Sequence, residues 1–203
     1  AANQIKNTAN VVVSGGTLDI GANDETVNNV KMTSGSLLGT SGTLSSGTAF
    51  DMQGGSAGAI LGGTAGLTAS AGTTTLSKAN TYTGTTTVSG GTLNVSGTLA
   101  AAGSLAVSGG TFDLQTNTQQ FAGVQQTGGT IQNGTVTLNA GNYDLQGGTV
   151  SAVLAGTAGA NVTVGTTTYS GSGANTYAGL TTVSAGTLNL NKTAGTDAIA
   201  GNL

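Results

Sequence analysis

Seven carboxylates, four lysines and four tyrosines are the side chains from which this 203-residue sequence could build an active site; it has no arginine, histidine or cysteine. Proton transfer would therefore fall to paired Asp and Glu groups, as in glycoside hydrolysis, where two carboxyls face each other across a substrate. The acids are Asp19, Asp24, Glu25, Asp51, Asp113, Asp144 and Asp197. Asp19 and Asp113 lie in matching stretches, SGGTLDI and SGGTFDL, and Asp51 and Asp144 open another matching pair, so four of the seven follow a periodicity rather than a unique site. They are expected at outward or turn positions. No catalytic, cofactor-binding or metal-binding residue is assigned, and the chain is read as a non-enzyme with no cofactor.

Other binding chemistries fare no better. Absence of cysteine removes disulfides and thiolate metal sites. Asp24-Glu25 is the only adjacent acidic pair, the calcium nonapeptide of β-rolls is missing, and a solvated loop is expected there. The glycine-rich runs contain no phosphate-loop pattern. A net charge of -3 with four lysines leaves no basic surface for phosphates, so neither nucleic acid nor an anionic membrane is an expected partner. No apolar stretch approaches the ~18 residues a spanning helix needs. Tyr82 and Tyr177 occupy equivalent places, with Tyr143 and Tyr169 near turns. Sparse tyrosines on a repeat are expected to stack within it; an exposed strip of them would instead suit carbohydrate. The sequons at Asn94, Asn133, Asn161 and Asn191 carry no weight in a chain so rich in Asn, Ser and Thr.

What would position these side chains is a repeat. Pairs of Gly with Thr or Ser begin at Gly16, Gly35, Gly55, Gly72, Gly91, Gly110, Gly129, Gly148, Gly165 and Gly186. Subtraction gives steps of 19, 20, 17, 19, 19, 19, 19, 17 and 21 residues. Around each pair apolar and polar residues alternate, as in Leu93-Asn94-Val95 and Phe112-Asp113-Leu114. Alternation with period two places the apolar members on one face of a strand, and glycine at the bend reaches positive φ without a Cβ clash. A unit of about 19 residues holds three short strands and their turns, and equivalent knots should stack in parallel register at roughly 4.8 Å per coil. The pattern predicts an all-β fold, a parallel β-helix (β-solenoid) of about ten rungs. Thirty-seven glycines, no proline and a slightly positive mean hydropathy of +0.12 suit ordered stacking rather than disorder.

A longer period overlies the short one. Residues 51–66 (DMQGGSAGAILGGTAG) return at 144–159 (DLQGGTVSAVLAGTAG), an offset of 93, and residues 81–94 return at 176–189, an offset of 95. Residues 1–203 therefore read as one solenoid domain of two tandem five-rung modules, approximately 1–105 and 106–203.

Residues 80–93 (NTYTGTTTVSGGTL) and 175–188 (NTYAGLTTVSAGTL) resemble the passenger-associated strand repeat of bacterial autotransporters, type V secreted proteins whose passengers are mostly right-handed parallel β-helices. The segments at 190–201 and 3–5 match pieces that stand in the opposite order in that family, which suggests a window cut from a longer array. The resemblance implies a stalk or adhesin, extracellular or on the bacterial cell surface, with no membrane insertion by this segment and no catalytic residues to carry across. Three functions follow as expectations. The first is a rigid stalk or head-to-tail filament that self-associates through its open ends, since neutral ladders stack without charge repulsion and little blocks an edge. A lateral face binding a cell-surface glycan or protein is the second. The third is a polysaccharide-acting β-helix enzyme; its known lyases use arginine with carboxylate-held Ca²⁺ and its hydrolases clustered aspartates near a histidine, and this chain has neither Arg nor His.

Overall fold

Short strands with one buried column apiece follow directly from the alternation. Phe50–Met52, Leu67–Ala69 and Thr86–Val88 each read buried, half-buried, buried, and Thr92–Val95 and Ser104–Val107 extend the same pattern by one residue. Valine and threonine are stiff at χ1 and pack well on a pleated surface, which supports strands here over helix. The computed structural model describes residues 3–203.

The strands wind into a parallel β-solenoid of about ten turns of about 19 residues, with three faces per turn. The first face is a parallel ladder that begins Val11↔Val30, passes through Asp51↔Thr68, Thr87↔Ala106 and Gln125↔Asp144, and ends at Asn161↔Thr182. The second begins Leu18↔Leu37 and ends at Asn189, which pairs with Thr168. The third is interrupted. Glu25↔Leu44 and Leu44↔Leu61 form one block, and Thr118–Phe121, Thr135–Leu138 and Val153–Ala155 form another. Between them only the isolated bridge Ala79↔Thr98 is made.

Inward side chains form one continuous core from Val13 to Tyr177. Burying each Leu, Ile or Phe contributes on the order of 1.5–3 kcal/mol, so the stacked columns supply most of the driving force. Aromatic pairs sit within it at centroid separations of 6.2 Å (Phe50–Tyr82), 6.0 Å (Phe112–Phe121) and 6.2 Å (Tyr143–Tyr177).

At the corner between the first two faces, each threonine amide donates to the glycine carbonyl one coil earlier: Thr92 to Gly72 at 2.7 Å, Thr111 to Gly91 at 2.8 Å and Thr130 to Gly110 at 2.9 Å. The backbones approach so closely that a Cβ on Gly110, whose φ is +61°, would lie 2.5 Å from the Gly91 carbonyl oxygen. Glycine is the residue that fits both the dihedral and the gap.

The expectation that all ten knots are equivalent needs one correction. Thr17, Ser36 and Ser56 pair in succession, but Ser56 then pairs with Thr75 rather than with Thr73 of the next knot. Thr73, Thr92, Thr111, Thr130 and Thr149 form the next run, after which Thr149 pairs with Thr168 rather than Thr166. Each slip is two residues. A slip of two preserves which side chains point inward, whereas a slip of one would turn the column inside out. Both slips occur beside glycine pairs in which each residue has positive φ: Gly54 and Gly55 at 153° and 105°, Gly147 and Gly148 at 156° and 99°. They also place Thr74 opposite Gly55 and Thr167 opposite Gly148. Both threonine hydroxyls are buried without a hydrogen-bond partner.

Candidate functional site

The carboxylates organise turns and neighbouring coils. Asp19 Oδ1 accepts the Gly21 amide at 2.8 Å, and its repeat counterpart Asp113 accepts the Gln115 amide at 2.8 Å, two copies of one Asx turn. Asp51 and Asp144 likewise share a role, accepting Nε2 of Gln53 at 3.0 Å and of Gln146 at 2.9 Å. Asp51 also pairs with Lys31 at 3.4 Å. Asp24 accepts the Thr43 amide at 2.8 Å. Among the described residues no three metal-ligating side chains come together.

Asp113 is the most enclosed of these turn aspartates. Burial alone would raise its pKa, but hydrogen bonds from Asn133, Gln132 and the Gln115 amide outweigh that effect and hold it below its ordinary value. Near the far end, Lys192 Nζ donates to the carbonyls of Ser170 (3.0 Å) and Gly173 (2.8 Å), and desolvation lowers its pKa.

All four tyrosines are buried, which matches stacking within the coil and removes the exposed strip that carbohydrate binding would need. Burial pushes the hydroxyls of Tyr82, Tyr143 and Tyr169 well above the usual tyrosine pKa. Tyr82 and Tyr177 each share a hydrogen bond with a buried threonine four residues on, Thr86 at 2.8 Å and Thr181 at 2.7 Å. Tyr143 donates to the carbonyls of Val136 and Ala155.

Three buried side-chain amides that sequence reasoning missed lie on the third face. Asn80 is 3% exposed; its Oδ1 accepts the Leu61 amide at 3.0 Å, and its Nδ2 donates to Lys78 O at 2.9 Å and Thr98 O at 3.4 Å. Asn175 does the same, accepting from Leu154 N at 3.0 Å and donating to Ala198 O at 2.7 Å. Gln119 accepts from Leu99 N and donates to Gly97 O, both at 3.0 Å. Each amide stands in for the peptide group the broken ladder lacks: Asn80 and Asn175 accept from the coil before and donate to the coil after, while Gln119 makes both bonds to the coil before. At the first coil Glu25 accepts the amides of Gln4 and Ile5 at 2.9 Å each. The signal was present in the recurrence of Asn80 and Asn175 at a spacing of 95, yet an asparagine in a neutral polar chain reads like any surface residue.

Apolar columns are exposed at the last described coil. Val183 and Leu190 are 42% and 56% exposed, while their ladder partners one coil inward, Val162 and Tyr169, are fully buried. Leu180 and Leu203 are exposed at the same end. At the opposite end a shallow groove is lined by Ile5, Val11, Val13 and Leu18.

No curated protein and no solved structure matches the chain. A family model described as Passenger-associated-transport-repeat matches residues 69–95 and 153–190. Each matched stretch contains one Asn-Thr-Tyr run with its buried asparagine, its tyrosine–threonine hydrogen bond and the following Gly-Thr corner, so the solenoid carries this passenger-associated repeat motif twice.

Proposed function

We propose that this chain is a non-enzymatic structural module of a secreted bacterial surface protein of the autotransporter type, a rigid stalk segment lying outside the cell and serving adhesion. The observation that carries the reading is the uninterrupted stack: one core runs from Val13 to Tyr177, and the first two faces are paired coil to coil along the described chain. Ten coils at roughly 4.8 Å give a rod of roughly 50 Å, whose first two faces pair coil to coil from Val11 to Thr182 and from Leu18 to Asn189. The two matches to the passenger-associated repeat support placement in a secreted passenger. Local turn roles for the carboxylates, and the lack of a three-ligand cluster among the described residues, support a scaffold over a polysaccharide-acting enzyme. A glycan-binding lateral face would have to work without tyrosine stacking. Neutral side-chain ladders that stack without charge repulsion favour end-to-end contact with a second copy as the partner.

The localisation is tested by display. Fused between an epitope and an outer-membrane translocator, residues 1–203 should carry the epitope to a position where protease added to intact cells removes it. An epitope that stays protected until the outer membrane is broken counts against the reading.

A further inference from the structure

We infer that Asn133 is a site of spontaneous covalent modification, deamidation through a cyclic imide with Gly134, and that the Asp113 carboxylate of the preceding coil holds this reaction shut in the folded chain. The inference stands on one corner of the solenoid and is independent of the stalk reading above.

Asn133 is the single asparagine of the sequence that is followed by glycine, and its side chain is exposed. With no side chain on Gly134, nothing shields its nitrogen from the asparagine Cγ. The Gly134 N–Cγ bond forms, the Cγ–Nδ2 bond breaks, and Nδ2 leaves as ammonia, carrying the proton of the Gly134 amide. Solvent water then opens the five-membered imide. Attack at Cγ leaves aspartate; attack at the main-chain carbonyl leaves isoaspartate, whose backbone runs through the former side chain and is one carbon longer. No oxidant or reductant is needed.

The folded corner opposes the first step. Asn133 and Gly134 alone join the second-face strand Thr130–Gln132 to the third-face strand Thr135–Leu138, whereas the preceding coil spends residues 114–117 on the same corner. Both residues sit in the left-handed region, at φ of 58° and 50°. Ring closure requires Cγ to eclipse the Asn133–Gly134 peptide, a ψ outside that well. It also requires release of Nδ2, which donates to Asp113 Oδ1 at 2.8 Å. Asp113 is a firm anchor: it is 7% exposed and is itself held by the Gln115 amide and by Gln132 Nε2, each at 2.8 Å. On either side of the corner, Thr135 N donates to Asn117 O at 2.9 Å and Val153 N to Gly134 O at 3.0 Å. Modification therefore proceeds from the opened corner, and its rate follows the population of that state.

Either product prevents the corner from closing again. A carboxylate at position 133 would face the Asp113 carboxylate in place of a donor, a like-charge contact. The longer isoaspartate backbone has no room, since even a Cβ on Gly134 would run into the Asn117 carbonyl oxygen. The strand Thr135–Leu138, central to its third-face block, would lose its entry.

Peptide mapping by mass spectrometry tests this on residues 1–203 incubated at mildly alkaline pH, with isoaspartate assigned by electron-transfer fragmentation. In the folded chain position 133 should convert at least about tenfold more slowly than in the same chain held unfolded in urea, a factor equal to about 1.4 kcal/mol of corner opening. Asp113→Ala, with its β circular dichroism spectrum retained, should recover most of that factor. Equal rates in the folded and unfolded chain would show that the corner gives no protection. Faster conversion of other asparagines in the unfolded chain would overturn the choice of site, and an Asp113→Ala rate equal to the parent's would overturn the role of Asp113. Should Asp113→Ala unfold, Asn133→Asp reads the same contact from the other side: it should melt below the parent at neutral pH, with the gap narrowing in acid, and equal melting at neutral pH overturns the latch.

Discussion

The first two faces of the solenoid and the third face solve one problem with different chemistry. Along the first two, peptide groups pair with peptide groups from Val11 to Thr182 and from Leu18 to Asn189, so outward residues as different as Lys31, Asp51, Thr68 and Thr87 succeed each other in one column. On the third, the ladder breaks and three side-chain amides, Asn80, Gln119 and Asn175, bridge the gap. A backbone ladder tolerates almost any outward residue, whereas a side-chain bridge demands an amide that both donates and accepts. Two of the three bridging amides, Asn80 and Asn175, lie inside the segments that match the passenger-associated repeat, and Gln119 lies outside them.

The contrast can be broken most directly at Asn80. Asn80→Leu keeps the volume roughly constant but strands the Leu61 amide and removes both donated hydrogen bonds, and should lower unfolding free energy by about 3 kcal/mol in urea titration. The outward first-face change Thr87→Ala should stay within about 0.5 kcal/mol. Comparable losses for the two would erase the distinction between the faces. Thr74 offers the opposite sign on the second face: its buried hydroxyl has no partner, so Thr74→Val should be neutral or stabilising by up to about 1 kcal/mol, and Thr167→Val should behave alike. A marked loss in either would show that the hydroxyl is bonded in solution.

The smallest effect is pH-dependent. The Asp113 carboxyl is held below its unfolded value of about 3.8, so the ionised group stabilises the folded chain above that value, and the contribution is lost as pH falls through the folded pKa. The stability difference between the parent chain and Asp113→Asn, followed by thermal melting from pH 7 to pH 2, should be constant above about pH 5 and change only in the acid range. A difference that varies between pH 5 and 7 would contradict the assignment.

Much of this architecture is legible in local sequence because a corner and an alternating strand are local events. Gly110-Thr111 announces its bend through glycine's dihedral freedom, and Phe112-Asp113-Leu114 announces its buried column through alternation. Turn roles for Asp19 and Asp113 follow from their shared setting. The slips at Ser56 and Thr149 coincide with the two 17-residue steps, Gly55 to Gly72 and Gly148 to Gly165, so the spacing carried their signal, while the pairing that absorbs it is set only between coils. Bridging by Asn80 is hidden for the same reason: its burial is imposed by neighbouring coils about 19 residues away on either side.

The central claim, that the coil is built to continue, is tested most directly by a tandem fusion joining Leu203 of one copy to Val12 of the next, the point at which the first-face columns of the two copies coincide. Small-angle X-ray scattering should show an unchanged cross-section and a length that rises from roughly 50 to roughly 100 Å, one straight rod of stacked coils. Two separate bodies with a flexible joint, or a thickened particle of the original length, would contradict it.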